Sequence, residues 1–137
     1  MVSAKFDDIS LAFDFVSSAA PMEHHAVVSL DTGRIYWKSE FGDSDEEVPE
    51  DERCVAIPHK NDLDLGRELA FRFALDHLPP RYEDVRACFR GSGAYSRFKK
   101  LLSDEGMLDQ WFAYEEAAMD AAIREWCDAN GIEILKD

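Results

Sequence analysis

Apolar residues near the start of the chain recur three and four residues apart, which predicts a short amphipathic helix. Its apolar side is formed by Ile9, Ala12, Phe13 and Val16. Asp7 or Asp8 can cap the first turn, since a carboxylate can accept hydrogen bonds from the first backbone N–H groups of a helix. The small and helix-breaking residues of 17–21 are expected to end it.

From His25 the period changes to two, which is typical of a β-strand. An apolar face is formed by Val28, Leu30, Ile35 and Trp37. The opposite face carries His25, Ser29, Arg34, Tyr36 and Lys38. Gly33 supplies a loop position where positive φ is needed. The pattern predicts a hairpin over residues 25–38 with one face turned to water.

Residues 40–52 contain eight acids and no Lys or Arg. Like charges repel and few apolar side chains are present, so this segment is predicted to be a mobile loop. In residues 53–58, Val55 and Ile57 are two positions apart and share one face, and the segment ends at Pro58, which predicts a third strand. Three strands with one apolar face require helices to cover that face.

The second half of the chain shows only helical spacing. The predicted helices run from Asn61 or Asp62 to Pro79, from Tyr82 to Gly91, from Ala94 to Gly106 and from about Leu108 to Asn130. Gly131 is expected to stop the last one. The fold class that follows is α+β, a single domain over residues 1–137 in which about four to five helices cover a small antiparallel sheet.

The chain of 137 residues carries 29 acids against 15 Lys and Arg, a formal charge of -14. Such a charge disfavours nucleic acid and anionic lipid, so a basic partner, or no charged partner, fits better. Cys54, Cys88 and Cys127 are an odd number at wide spacing, which indicates reduced thiols. An apolar run of roughly 20 residues, as a membrane span needs, is absent from the sequence. We expect a cytoplasmic protein.

Positive charge is concentrated between Arg90 and Lys100, where a Gly-Ser-Gly turn leads into a helix. Backbone N–H groups at Gly91 and Gly93, with Arg90, Arg97 and Lys100, could bind a phosphate at the positive end of that helix. The alternative is that the glycines form a tight turn and the basic side chains pair with the protein's own acids. Neither phosphate-loop fingerprint is present.

This turn also carries a resemblance. Residues 91–111 read Gly-Ser-Gly-Ala-Tyr-Ser-Arg-Phe-Lys and continue to a Trp, and they resemble an uncharacterised bacterial family, number 0158 in the series of unassigned protein families. Further matches are Asp31–Gly33, Ile57-Pro58, Trp126 and Gly131. Ser92 stands where that family commonly has a basic residue, which weakens the anion-binding interpretation. The resemblance implies the fold but no assigned activity.

Glu115 lies within the apolar arc of the last predicted helix. A buried carboxylate must be paired or have its pKa raised. We therefore expect a buried ion pair between Glu115 and Arg97 or Arg72. A role as a general base is the alternative.

Two patterns suggest metal ligands but fail on inspection. Asp43-x-Asp45-x-Glu47 imitates the start of a calcium-binding loop, but Val48 and Cys54 fall where glycine and glutamate are required. His24 and His25 are adjacent, and neighbours on a strand point to opposite faces. No metal and no cofactor are predicted.

No catalytic motif is found, so we expect a non-enzymatic bacterial module that interacts with another protein or regulates it. A basic partner fits the charge of the chain, and nucleic acid and membranes do not. The alternative function is binding of a phosphorylated ligand or nucleic acid through residues 90–100. The sequence indicates no oligomeric state.

Overall fold

The computed structural model describes residues 2–18, 24–39 and 48–135. The strands found there are β1 (Val2–Lys5), β2 (His24–Ser29), β3 (Ile35–Ser39), β4 (Cys54–Ala56) and β5 (Ile132–Leu135). The α-helices are α1 (Phe6–Ser17), α2 (Arg67–His77), α3 (Tyr82–Cys88), α4 (Ala94–Asp104) and α5 (Leu108–Ala129). Short 3-10 turns occupy Lys60–Leu63 and Pro79–Arg81. The predicted α+β class is confirmed.

The chain divides into two compact units. The sheet unit comprises Met1–Leu63 with Asp120–Asp137, and the helical unit comprises Asp64–Met119. All of the strands above belong to the sheet unit. Within the described ranges, no helix combines the length and the apolar character that crossing a membrane requires.

In the sheet unit, β2 lies between β3 and β4 in an antiparallel sheet. Val28 pairs with Ile35 on one side and with Val55 on the other, which confirms the predicted hairpin and third strand. β4 itself is shorter than the predicted strand over residues 53–58. A hydrogen bond from Ile57 N to the Ala26 carbonyl oxygen (2.9 Å) nevertheless continues the pairing beyond its end.

The hairpin loop contains Gly33, whose φ is +81°. A Cβ at this position would stand 2.4 Å from the carbonyl oxygen of Ser3, in β1. The positive φ predicted here is confirmed, and the close approach of β1 is a second reason why only glycine fits.

The second face of the sheet is less exposed than predicted. Tyr36 and Ser29 were expected to face water, but both are buried. The hydroxyl of Tyr36 donates to Glu52 Oε2 at 3.0 Å, and the Arg34 guanidinium lies 4.8 Å from the ring centroid. Because neighbouring side chains cover the Tyr36 ring, the prediction of a wet face is wrong at this position.

β1 and β5 form a separate two-stranded parallel sheet, with Val2 opposite Ile132. The sequence pattern did not predict it, since each strand has only four residues and the two lie at opposite ends of the chain. Gly131, with φ +71°, ends α5 as predicted and turns the chain into β5.

α1 buries the predicted side chains Ile9, Ala12, Phe13 and Val16. Its first turn differs from the prediction. Lys5 occupies the capping position, without a side-chain cap, and Asp7 and Asp8 lie two and three residues later, within the first turn. Their negative charges still favour the positive N-terminal end of the helix.

In the helical unit, α2 begins at Arg67, so the predicted start at Asn61 or Asp62 is wrong. The chain there forms the 3-10 turn and then breaks at Asp64, whose φ is +56°. The centre of the unit is aromatic. Trp111 lies edge-on to Phe73 and Phe98, with ring centroids 5.4 and 5.0 Å apart, and all of these side chains are fully buried.

Candidate anion-binding cleft

A cleft of about 380 Å³ lies on the helical unit and is lined by residues from α2 and α3 and by the residues that follow α3. The charged residues that line it are Arg67, Arg72, Arg86, Arg90 and Glu68. Four cations and one anion give the lining a net charge of +3, in a chain whose formal charge is -14. The cleft is therefore positive on a strongly negative protein.

Helical spacing explains how these side chains come together. Arg67, Phe71 and Leu75 follow one another at intervals of four residues, so they lie on one side of α2. Arg86 lies in the last turn of α3, and Arg90 lies two residues beyond the end of that helix, so both reach the cleft from the C-terminal end of α3. Phe71 and Leu75 give the cleft an apolar wall beside its cations, and Leu75 is 54% exposed.

Arg86 is held in place by aromatic rings. Its guanidinium lies 5.2 Å from the ring centroid of Phe71 and 5.7 Å from that of Tyr82. Its Nη1 also donates to the Tyr82 hydroxyl at 3.1 Å. This hydrogen bond, with the nearby acids Glu83 and Glu68, raises the pKa of Arg86. The remaining N–H groups of a planar guanidinium fixed in this way can bind an anion.

The other arginines of the cleft are weakly neutralised. Arg72 donates from Nη2 to the backbone carbonyl of Asp64 at 3.1 Å. Arg67 Nε lies 3.9 Å from Glu68 Oε1, and both side chains are more than half exposed. In the part of the chain that the structure describes, the Arg90 side chain makes no ion pair. Most of the positive charge is therefore available to a ligand.

At the predicted anion-binding turn, one of the proposed cations binds the backbone of its own chain. Arg97 turns back over it: Nη2 donates to the Cys88 carbonyl at 2.7 Å and Nη1 donates to the Ser92 carbonyl at 2.6 Å. Nη2 also lies 3.4 Å from the Gly91 carbonyl oxygen. Gly93 has φ +75° and caps α4. The turn thus presents carbonyl oxygens to a cation of the same chain.

The predicted residues are therefore separated. Arg90 lines the cleft, while Arg97 is bound to the backbone of the turn. Gly91, Gly93 and Lys100 are exposed and are not part of the cleft lining. The positive site that the structure contains is centred on α2 and α3, one helix earlier than the predicted site.

The predicted ion pair of Glu115 is also absent from the described residues. Arg97 and Arg72 donate to carbonyl oxygens instead, and Glu115 is half-buried. Phe112, on the same predicted apolar arc, is 44% exposed. The arc is only partly covered, so Glu115 does not need a cation partner. Burial raises the pKa of Tyr95, and the charge of Glu115 adds to that effect.

Of the two patterns that suggested metal ligands, the structure describes only the pair His24 and His25. Among the residues that the structure describes, no three or more His, Cys, Asp or Glu side chains form a group that could hold a metal ion. His24 instead stacks on Phe15, with ring centroids 4.4 Å apart. Residues 43–47 lie outside the described ranges.

The thiols of Cys54, Cys88 and Cys127 are not activated. Burial raises the pKa of all three thiols, so each is protonated at neutral pH. A protonated thiol is a poor nucleophile. The chemistry that the cleft offers is binding of an anion by guanidinium groups next to aromatic carbon.

Sequence reasoning did not single out Arg67 and Arg86, because isolated cations on two different predicted helices form no motif. The distribution of charge along the chain did indicate that positive charge is concentrated in one part of it. Residues 64–119 carry ten acids and eight Lys or Arg, whereas the rest of the chain carries nineteen acids and seven.

Compared with known proteins, the chain matches no family model, no curated protein and no solved structure.

Proposed function

We propose that the protein is a small regulatory or adaptor module of the cytoplasm that binds an anionic ligand in the arginine cleft without catalysing a reaction on it. The observation that carries the proposal is the +3 lining of a cleft on a chain of charge -14. A cleft lined by charges of one sign raises the local concentration of ligands of the opposite sign. Membership of the family numbered 0158 remains a prediction.

The arrangement of the cations supports binding more than stability. Exposed ion pairs contribute about 0 to 1 kcal/mol to folding, and the ion pair in the cleft, Arg67 with Glu68, is long and exposed. By contrast, Arg86 is already fixed by Tyr82 and Phe71, so little of its conformational freedom remains to be lost when an anion arrives.

The proposal is tested by titrating the full chain with pyrophosphate and, separately, with a hexaglutamate peptide in an isothermal calorimeter. We expect at least one of these probes to bind, and the affinity to fall as salt is added. Arg86→Gln and Arg90→Gln, made as two separate variants, are each expected to weaken binding more than tenfold, since a hydrogen bond to a charged group contributes about 1.5–3 kcal/mol.

Lys100→Gln is the matched control. It removes the same charge from the helical unit at an exposed position outside the cleft lining. We expect its binding to equal that of the wild type. If neither probe binds at millimolar concentration, or if Lys100→Gln weakens binding as much as the cleft variants do, the cleft is not the binding site.

A second candidate is a basic protein partner that binds the acidic segment. Residues 40–52 contain eight acids, and Glu50 and Asp51, within the described part, are exposed. Deleting residues 43–52 should then remove salt-sensitive binding to a lysine-rich peptide and leave pyrophosphate binding unchanged. A deletion variant that retains the lysine-rich peptide would exclude this candidate.

A further inference from the structure

We infer that the ligand of the cleft is a compact phosphorylated molecule that carries an aromatic ring, such as a nucleoside monophosphate. This inference rests on the proposed function and narrows its ligand from anions in general to one chemical class.

The charge around the cleft selects for a compact anion. The lining has a net charge of +3, but the helical unit as a whole has ten acids against eight Lys and Arg, and the sheet unit has nineteen against seven. The part of a long polyanion that extends beyond the cleft leaves the arginines and meets a unit in which acids outnumber Lys and Arg. Charges more than a Debye length of about 8 Å from the arginines gain little from them. A molecule that fits in about 380 Å³ keeps all of its charge beside the arginines.

The cations in the cleft are suited to phosphate. All four are arginines, whose planar guanidinium groups bind phosphate oxygens in pairs. Arg86, in the last turn of α3, and Arg90, two residues beyond its end, both line the cleft, so one phosphate there can contact both guanidinium groups. A phosphate monoester carries about -1.5 to -2 charges at neutral pH, which balances a net charge of +3 better than one carboxylate does.

The apolar wall of the cleft favours a ligand that has an apolar or aromatic part. Phe71 and Phe89 line the cleft and are only half-buried, with ring centroids 5.5 Å apart. Leu75 beside them is more than half exposed. A bare phosphate would leave these side chains in water, whereas a ring beside them removes apolar surface from water and can stack on the Arg86 guanidinium.

Calorimetric titration of the full chain with AMP, inorganic phosphate, adenosine, decaglutamate and a short single-stranded oligothymidylate tests this inference. We expect AMP to bind at least tenfold more tightly than either of its parts and more tightly than either polyanion, since tenfold corresponds to about 1.4 kcal/mol. If inorganic phosphate binds as tightly as AMP, the ring contributes nothing to affinity, and the inference that the ligand carries an aromatic ring is overturned.

The two polyanions distinguish a failure of the compact-ligand inference from a failure of the proposed anion-binding function. Tighter binding of decaglutamate or oligothymidylate than of AMP, lost in Arg90→Gln, would overturn the compact ligand but leave the anion cleft in place. No binding of any probe at millimolar concentration would overturn both.

Variants distinguish a fitted site from general attraction. Arg86→Lys keeps the charge but loses the planar group, so we expect AMP affinity to fall about tenfold. Tyr82→Phe removes only the hydroxyl that positions Arg86, and about a threefold loss of affinity is expected, with the far-UV spectrum of the folded protein unchanged. The control is Arg124→Lys, a matched change in the sheet unit. Wild-type AMP affinity in Arg86→Lys would overturn recognition of phosphate by the guanidinium.

Discussion

The two units use their basic side chains in different ways. In the sheet unit, where acids outnumber Lys and Arg by nineteen to seven, Arg53 and Arg124 each bind a carboxylate. In the helical unit the numbers are ten and eight. Arg81 binds the carboxylates of Asp84 and Glu105 there, but Arg72 and Arg97 donate to backbone carbonyl oxygens. The net charge of the whole chain thus conceals a nearly balanced unit in which a positive cleft can form.

The largest effect is expected in the core of the helical unit, on which the position of the cleft helices depends. Trp111→Ala should reduce the free energy of unfolding by about 3–5 kcal/mol, because it leaves a cavity between Phe73 and Phe98. Urea unfolding followed by circular dichroism measures it. Trp111→Phe should cost less, about 1 kcal/mol, because the buried indole Nε1 has no partner among the described residues. Equal losses in both variants would contradict this account.

The sheet unit can be perturbed through its hairpin loop. Gly33→Ala places a Cβ 2.4 Å from the Ser3 carbonyl oxygen at a φ of +81°, so β1 has to shift. Gly106→Ala is the control in the helical unit: its φ is +70°, but nothing lies within 4 Å of the added Cβ. We expect the free energy of unfolding to fall by about 1 kcal/mol in Gly106→Ala, from backbone strain alone, and by at least twice that in Gly33→Ala. Similar melting temperatures for the two variants would show that β1 does not approach the loop.

Periodicity predicted the elements that are held by local contacts. The hairpin around Val28 and the buried side of α1 follow from spacings within a few residues, and the structure confirms both. The pairing of β1 with β5 joins the two ends of the chain, and neither four-residue strand has a pattern long enough to reveal it. Such a contact is visible only once the fold brings the segments together.

The candidate site was predicted less well than the fold, for a similar reason. Arg90 was found because it lies in a run of basic residues. Arg67 and Arg86 are single cations on two different helices, and they form a site only because α2 packs beside α3. Arg97 was assigned to the site by its charge, but the sequence does not show that backbone carbonyls at the end of α3 would bind it first.

Arg97 therefore gives a direct test of how the helical unit uses a cation. Arg97→Gln should destabilise the protein by about 1–2 kcal/mol, because the Cys88 carbonyl loses its charged donor. Lys100→Gln, which removes an equal charge on the same helix, should change stability by less than about 0.5 kcal/mol. Thermal unfolding of both variants measures the difference. Unchanged stability of Arg97→Gln would mean that water replaces the guanidinium at no cost.

The smallest expected effect is a pH dependence of stability. It distinguishes an arginine that binds a carboxylate from one that binds a carbonyl oxygen. The backbone N–H of Arg53 and then its side chain hold the pKa of Asp31 below the ordinary value, so the folded protein binds this proton less readily than the unfolded chain. The stability gained from Asp31 is therefore present above about pH 3.9 and is lost as the pH falls through the lower folded pKa.

Carbonyl oxygens do not titrate, so the loss of stability in Arg97→Gln should be the same across this pH range. Asp31→Asn, by contrast, should melt below the wild type at neutral pH and approach it in acid. A gap between wild type and Asp31→Asn that stays constant down to about pH 2 would contradict the assignment of Asp31 to an ionic contact.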